Sequence, residues 1–143
     1  MTTPLPRALI FAVLALIAWA ILSTVVSLIA VGLPQPGESV PAFQERVQGP
    51  AGQIDLIVGA VVMLTFGWLA ARPFSGQTTI RTALLLAVFY IVIEFAATYL
   101  LTGARSIDVV QSALAYGVKA AAALVGGWLA SRRSGAGASL EEA

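Results

Sequence analysis

Two charged side chains, Glu94 and Lys119, lie within otherwise apolar stretches of the sequence, and they are the residues best suited to do chemistry. A charge at the centre of a bilayer costs roughly 2.5–3.5 kcal/mol on insertion scales, so such residues are rare and are functional candidates. A carboxylate in this setting is typical of proton and cation sites. A carboxylate that is paired with a lysine can instead be a structural contact that fixes the register of two helices.

The spacing along the chain places Glu94 and Lys119 at similar depths. If the turn between their helices is centred near residue 105, Glu94 lies 11 residues before it and Lys119 lies 14 residues after it. At about 1.5 Å of rise per residue the mismatch is about 4–5 Å, which a long lysine side chain can span. We therefore predict an ion pair, with Tyr90 and Thr98, one turn to either side of Glu94, as hydrogen-bond donors. The pair is a structural contact or a proton or cation site, and the lysine partner favours the structural interpretation.

The composition counts against most enzyme chemistry. Hydrophobic residues make up 59% of the 143 residues, charged residues make up only 10%, and there is no His and no Cys. This removes the usual ligands of zinc, copper, haem and iron–sulfur clusters, the usual nucleophile–base pairs, and any disulfide. A net charge of +1 does not indicate the strongly basic surface that is typical of nucleic-acid-binding proteins. We predict a protein that is not an enzyme and that has no cofactor, no metal and no nucleic-acid partner.

Four apolar segments are long enough to cross a bilayer, which needs about 20 residues. We predict an all-α integral membrane protein whose transmembrane domain covers residues 1–131, with spans at about 7–33, 51–72, 80–102 and 107–131. All seven prolines lie outside the interiors of these spans, as helices require. The apolar region of the first segment is much longer than the 7–15 residues typical of a secretion signal, so we predict a span there too.

The polar segments are short. The outer loop is predicted at 34–50, where Pro41–Gln48 is either a short surface helix or a proline-rich turn, and the tail at 132–143 is predicted to be a disordered cytoplasmic segment. Asp55 and Asp108 are each predicted in the first turn of a helix, where an acidic side chain is favourable with the helix dipole.

The basic residues predict the orientation. One end of the four spans would carry five arginines and the other end only two, as follows: Arg7, Arg72, Arg81, Arg132 and Arg133 against Arg46 and Arg105. The positive-inside rule then predicts that both termini lie in the cytoplasm. We also predict that the protein is located in the inner membrane of the cell. Trp68 and Trp128 would both lie near the inner interface, where amphipathic rings anchor helices.

A short motif occurs twice. The segment GWLAAR at 67–72 recurs as GWLASR at 127–132, and 8 of the 15 aligned positions from Val58 onward are identical at an offset of 60. The first and third spans also begin alike, at Arg7 and Arg81. Either the chain is two parallel-repeat helical hairpins in a small bundle, or these residues converged because they are common at cytoplasmic helix ends.

Small residues mark one face of each span. Helices in lipid pack through such residues, and both Glu94 and Lys119 lie on these faces. Trp19, in the middle of the first span, is predicted to fill space between helices or to line a ligand pocket. The residues predicted to form helix-packing interfaces are Trp19, Gly59, Gly67, Trp68, Gly126, Gly127 and Trp128.

Two functions follow from these features. The first is a small non-catalytic membrane protein that acts through its helix faces, as an accessory or assembly subunit of a larger complex or as a homo-oligomer. Its partners would be the lipid bilayer and other membrane subunits or itself. The alternative is a small proton- or cation-coupled transporter or channel that uses Glu94 as its intramembrane carboxylate.

Overall fold

The architecture is a bundle of long helices. The computed structural model describes residues 3–102 and 109–138. Within them the chain forms four helices, α1 (Pro4–Val31), α2 (Val40–Ala71), α3 (Gln77–Thr102) and α4 (Val109–Ala138). All four are long and apolar enough to cross a membrane. The predicted all-α, four-helix architecture is confirmed, and it indicates a multi-pass membrane protein.

Proline and glycine mark the helix ends. Proline occupies the first turn of both α1 and α2, where its missing N–H has no helical partner to lose. α1 ends at Val31, and Gly32 follows it with a φ of 80°, a backbone conformation that glycine adopts without strain. Gly76, with φ of 59°, directly precedes α3. These residues set where each apolar segment can begin or end as a helix.

α2 begins earlier than predicted. It starts at Val40, so the predicted loop at 34–50 is helical from residue 40 onward and the segment Pro41–Gln48 runs without a break into the span. Pro50 lies inside this helix. The prediction that Asp55 sits in a first turn is therefore wrong, because Asp55 lies about four turns after the start of α2. Asp108 lies outside the described residues.

The C-terminal end is also more helical than predicted. α4 continues to Ala138, so residues 132–138, which were assigned to a disordered tail, are helical. Residues 139–143 of that predicted tail lie outside the described part of the chain. The polar segment after Arg132 thus extends α4 beyond the apolar stretch, which ends at Arg132.

The pair α2–α4 is the centre of the bundle. These two helices make the most extensive contact, α3 packs against both of them, and α1 packs against α2 and α3. The side chains that α1 buries completely are alanines, Ala8, Ala12 and Ala15, which recur at helical spacing on one face. Most of the remaining apolar surface of α1 is exposed, as expected of a helix that faces lipid.

Glycines allow the close approach of α2 to α4. A methyl group on Gly67 would lie 2.9 Å from the Ala123 Cα, and one on Gly126 would lie 2.8 Å from the Trp68 backbone nitrogen. Real Cβ atoms do not come that close to backbone atoms, so only glycine fits at these two positions. Backbone contact of this kind is how helices gain van der Waals attraction in lipid, where no hydrophobic force drives their association.

Arg7 joins α1 to the end of α2. Its Nε donates to the Ala70 carbonyl at 2.9 Å and its Nη2 donates to the Leu69 carbonyl at 3.1 Å. Its guanidinium also lies 4.7 Å from the centre of the Phe11 ring. A cation at a helix C-terminus satisfies carbonyls that have no helical partner, so Arg7 fixes the start of α1 beside the end of α2.

An ion pair holds the connection between α1 and α2. Arg46 Nη2 lies 2.8 Å from Glu38 Oε2, and the Gln35 backbone N–H donates to the same oxygen at 2.9 Å. Arg46 also donates to the Val31 carbonyl at the end of α1. The hydrogen bond from Arg46, with that from Gln35, holds the pKa of the Glu38 carboxyl below its ordinary value of 4.5.

Candidate functional site

Glu94 and Lys119 meet inside the bundle. Lys119 Nζ on α4 lies 2.7 Å from Glu94 Oε1 on α3, which is a charge-assisted hydrogen bond. The side chain of Lys119 is 1% exposed and that of Glu94 is 9% exposed. The similar depths expected from their distances to the turn are therefore realised as a direct contact.

Asp55 is the second acid at this position, and sequence reasoning missed it. Lys119 Nζ lies 3.2 Å from Asp55 Oδ1, and the indole Nε1 of Trp19 donates to the same oxygen at 2.8 Å. One signal pointed to it. Asp55 lies one helical turn before Gly59, and Gly59 is the residue that aligns with Lys119 at the offset of 60. We call Asp55, Glu94 and Lys119 the charged site.

Aromatic rings surround the ammonium group of the charged site. Lys119 Nζ lies 4.8 Å from the ring centre of Trp19, 5.6 Å from that of Tyr90 and 5.8 Å from that of Tyr116. Rings within about 6 Å attract a cation through their quadrupole, most strongly where water is excluded. Trp19, for which space filling and pocket lining both stayed open, thus contacts the charged site through its ring and its N–H.

Two buried polar atoms of this region lack a hydrogen-bond partner. They are Glu94 Oε2 and the Tyr90 hydroxyl, both without a partner among the described residues. The Tyr90 hydroxyl lies beside the Glu94 carboxyl, as predicted, but without the geometry of a full hydrogen bond. Most buried polar atoms in proteins are satisfied, so these two are exceptions that a bound proton, water or ligand would explain.

A cavity of about 390 Å³ borders the charged site. All three charged residues line it, together with Trp19, Tyr116 and the predicted site residue Thr98. The Asp55 side chain is 31% exposed, against 9% for Glu94 and 1% for Lys119. Asp55 is therefore the most accessible of the three charged side chains.

Gly59 makes room for the lysine. A methyl group at this position would lie 2.5 Å from Lys119 Cε and 3.2 Å from Lys119 Cγ. The lysine stem runs over the bare backbone of α2, which lets the ammonium group reach acids on both α2 and α3. Gly59 was predicted as a packing residue, and its place in the structure is beside the charged site.

The other predicted interface residues lie nearer the opposite end of α2 and α4. Gly67 and Gly126 lie where these helices meet, and a methyl group on Gly127 would lie 2.5 Å from Ala83 Cβ on α3. Trp68 and Trp128 each carry an arginine on their ring, Arg72 at 5.2 Å and Arg132 at 3.8 Å. The structure does not bring these residues to the charged site.

The charged site can hold a proton or a cation. It contains a carboxylate oxygen that meets no hydrogen-bond criterion among the described residues, a second carboxylate open to a cavity, and an ammonium group that bridges the two carboxylates. In the part of the chain that the structure describes, no three acidic side chains come together as metal ligands would. No family model, no curated protein and no solved structure matches this chain.

Proposed function

We propose that this chain is a proton- or cation-coupled transporter of the inner membrane, with both termini in the cytoplasm and Glu94 as its intramembrane carboxylate. The observation that carries the proposal is that Lys119 is shared between Glu94 and Asp55 on the wall of a cavity. When all three are ionised they leave one negative charge. An uncompensated charge in apolar surroundings is costly, so one proton or one monovalent cation balances the site.

Glu94 is the acid better suited to carry the proton. Its Oε2 meets no hydrogen-bond criterion among the described residues and can take a proton while Oε1 still accepts from Lys119, whereas Asp55 Oδ1 accepts from both Trp19 and Lys119. The other titratable group that α3 places at the site is Tyr90, and α4 adds Tyr116. With a proton on Glu94 the site is neutral because Lys119 balances Asp55. With Glu94 ionised the site is neutral only when a cation is bound, so proton and cation exchange one for one.

The cavity extends from the charged site toward one end of the bundle. The cavity is also lined by Gly52 and Gln111, toward the starts of α2 and α4. Beyond the site in the other direction, α2 and α4 are in backbone contact at Gly67 and Gly126. A transporter opens to each side of the membrane in turn, and opening toward the other end would need the contact between α2 and α4 to loosen.

A parallel repeat would provide the two moving parts. We propose that α1–α2 and α3–α4 are duplicated hairpins, related by an axis along the membrane normal. Two observations support this. Gly59 and Lys119, which align at the offset of 60, face each other across the α2–α4 contact. The aligned pairs Trp68–Arg72 and Trp128–Arg132 make the same ring–cation contact.

Proton flux into proteoliposomes tests the proposal. The purified chain is reconstituted with a pH-sensitive dye inside the vesicles, and a pH gradient is imposed with and without a cation gradient. We expect flux from the native chain when the cation gradient is present and a loss of most of it in Glu94→Gln, because the amide cannot carry a proton. Glu45→Gln makes the same change at an exposed acid of α2 and should keep the flux. Undiminished flux in a folded Glu94→Gln protein would sink the proposal.

A second function is favoured by the exposed surface of α1. Because the side chains that α1 buries completely are three alanines, with Phe11, Leu16 and Trp19 partly buried beside them, much of its apolar surface is open to another helix as well as to lipid. We propose as the alternative an accessory or assembly subunit, or a homo-oligomer, that acts through this surface. Extraction from native membranes in mild detergent, followed by mass spectrometry, tests it. Recovery of this chain alone and as a monomer would exclude the alternative.

A further inference from the structure

The cavity beside the charged site has the chemistry of an ammonium-binding site. We infer that it binds a small organic ammonium ion, with Asp55 as the carboxylate that meets the ion and Trp19 and Tyr116 as its aromatic walls. This inference names the substrate class of the charged site and rests on the proposed transport function.

The charge of the site selects a cation. Its two carboxylates exceed its single ammonium group, and Glu94 Oε2 is buried without a partner among the described residues. The positive group, Lys119, is 1% exposed and is covered by the two acids and by the rings. Among the described residues that line the cavity, an anion would find two carboxylates and a single cation that is almost fully covered.

The contacts of Lys119 show which kind of cation fits. Its Nζ is a primary ammonium group held by two carboxylates and by the rings of Trp19, Tyr90 and Tyr116. An ammonium ion in the cavity can use the exposed part of Asp55 and the rings of Trp19 and Tyr116, which also line the cavity. Aromatic walls combined with a carboxylate are the usual way in which proteins recognise organic ammonium ions.

The size of the cavity favours an organic ion over a bare metal ion. Its volume of about 390 Å³ lies within the range of about 300–1,000 Å³ that holds small organic ligands. A hard metal cation also needs about six oxygen ligands. In this cavity both carboxylates already accept hydrogen bonds from Lys119, and much of the remaining wall is apolar or aromatic.

The fluorescence of Trp19 can report binding directly. The chain has three tryptophans, so Trp68→Phe with Trp128→Phe leaves Trp19 as the single fluorescent indole and keeps a ring at both other positions. This protein in lipid nanodiscs is titrated at neutral pH with tetrapropylammonium chloride, with sodium chloride, and with sodium propanesulfonate as a small organic anion. We expect a saturable change with the ammonium salt and none with the two sodium salts.

Two further variants locate the site. Asp55→Asn should weaken tetrapropylammonium binding about tenfold or more, because it removes the Coulomb attraction of the accessible carboxylate. Tyr116→Leu should weaken it about threefold to tenfold, because it removes one aromatic wall, and it serves if Asp55→Asn does not fold. Glu45→Gln, at an exposed acid of the same helix as Asp55, should bind like the parent protein.

The inference fails if the folded parent shows no saturable response to tetrapropylammonium, if sodium chloride gives the same response, or if Asp55→Asn and Tyr116→Leu bind unchanged. Proton flux that depends on Glu94 without ammonium binding would leave the proposed function standing and remove only this inference. Saturable ammonium binding without any flux would remove transport and keep the binding site.

Discussion

Gly59 on α2 packs directly against Lys119 on α4, and the lysine side chain occupies the space that any side chain on Gly59 would fill. The contact explains how the long side chain of Lys119 can extend across the bundle and reach both Asp55 and Glu94. Because the Lys119 ammonium group is held by one acid on α2 and one on α3, a small substitution at Gly59 should shift the ammonium group relative to the two carboxylates without removing any of the three charges.

Gly59→Ala should displace the lysine. The added methyl group would lie 2.5 Å from Lys119 Cε and 3.2 Å from Cγ, so the lysine stem must shift, and we expect the shift to lengthen its ion pairs. Overpacking of this kind costs about 1–3 kcal/mol, and we expect a matching loss of unfolding free energy in lipid micelles. Gly117→Ala is the control, since a methyl group there meets nothing within 4 Å and alanine favours a helix. Equal stability of the two variants would contradict the contact.

Lys119→Met should be among the most damaging single substitutions. It leaves Asp55 and Glu94 without their shared cation, and breaking a buried ion pair by removing one partner costs about 3–5 kcal/mol. Adding Glu94→Gln to Lys119→Met should recover part of this loss, because it removes the less exposed of the two uncompensated acids. The measurement is a double-mutant cycle of unfolding free energy. Strictly additive effects of the two substitutions would show that the residues do not interact.

The ion pair between Glu38 and Arg46 should make the connection between α1 and α2 sensitive to acid. The pKa of Glu38 is lowered in the folded chain, chiefly by the hydrogen bond from Arg46, so its stabilising contribution is present above pH 4.5 and is lost as the pH falls through the lower folded value. Hydrogen exchange of residues 32–39 should be faster in Glu38→Gln than in the native chain at neutral pH. The difference should disappear in strong acid, and a difference that grows in acid would refute the assignment.

Single cysteines can determine the orientation in the membrane. The chain has no cysteine, and Ser39 and Ser75 are exposed residues in the connections at opposite ends of the bundle. Both termini in the cytoplasm predict that an impermeant maleimide added to spheroplasts labels Ser39→Cys and does not label Ser75→Cys. Both should react after the membrane is opened with detergent. The reverse pattern would place the termini outside and would refute the orientation drawn from the arginines.

Several features were predictable because they depend on local sequence. The four helices follow from apolar segments that are long enough to span a bilayer, and Glu94 and Lys119 stood out because charge within such segments is costly. The contact between them was predictable for one further reason, since both lie at similar distances from one turn. The faces buried by α1 and α4 were marked by small residues, including Ala12 and Gly126, which helices in lipid need for close approach.

The role of Asp55 was not predictable in the same way. Pro50 and the polar residues before it are typical of a helix start, because proline disrupts a helix interior, and this reading placed Asp55 in a first turn. In the structure, α2 begins at Val40 and continues without a break through Pro50. Asp55 then lies beside α1 and α4, where Trp19 and Lys119 both donate to it.

The sequence by itself determined the apolar helices, their small-residue faces and the presence of two charges within them. These properties depend on residues three or four positions apart on one helix, which periodicity records. Only the tertiary structure decided that Lys119 is shared by two acids, that Trp19 holds one of them, and that a cavity opens beside Asp55. Those relationships depend on how each helix is rotated and shifted against its neighbours, and the spacing of residues along one helix does not contain that information.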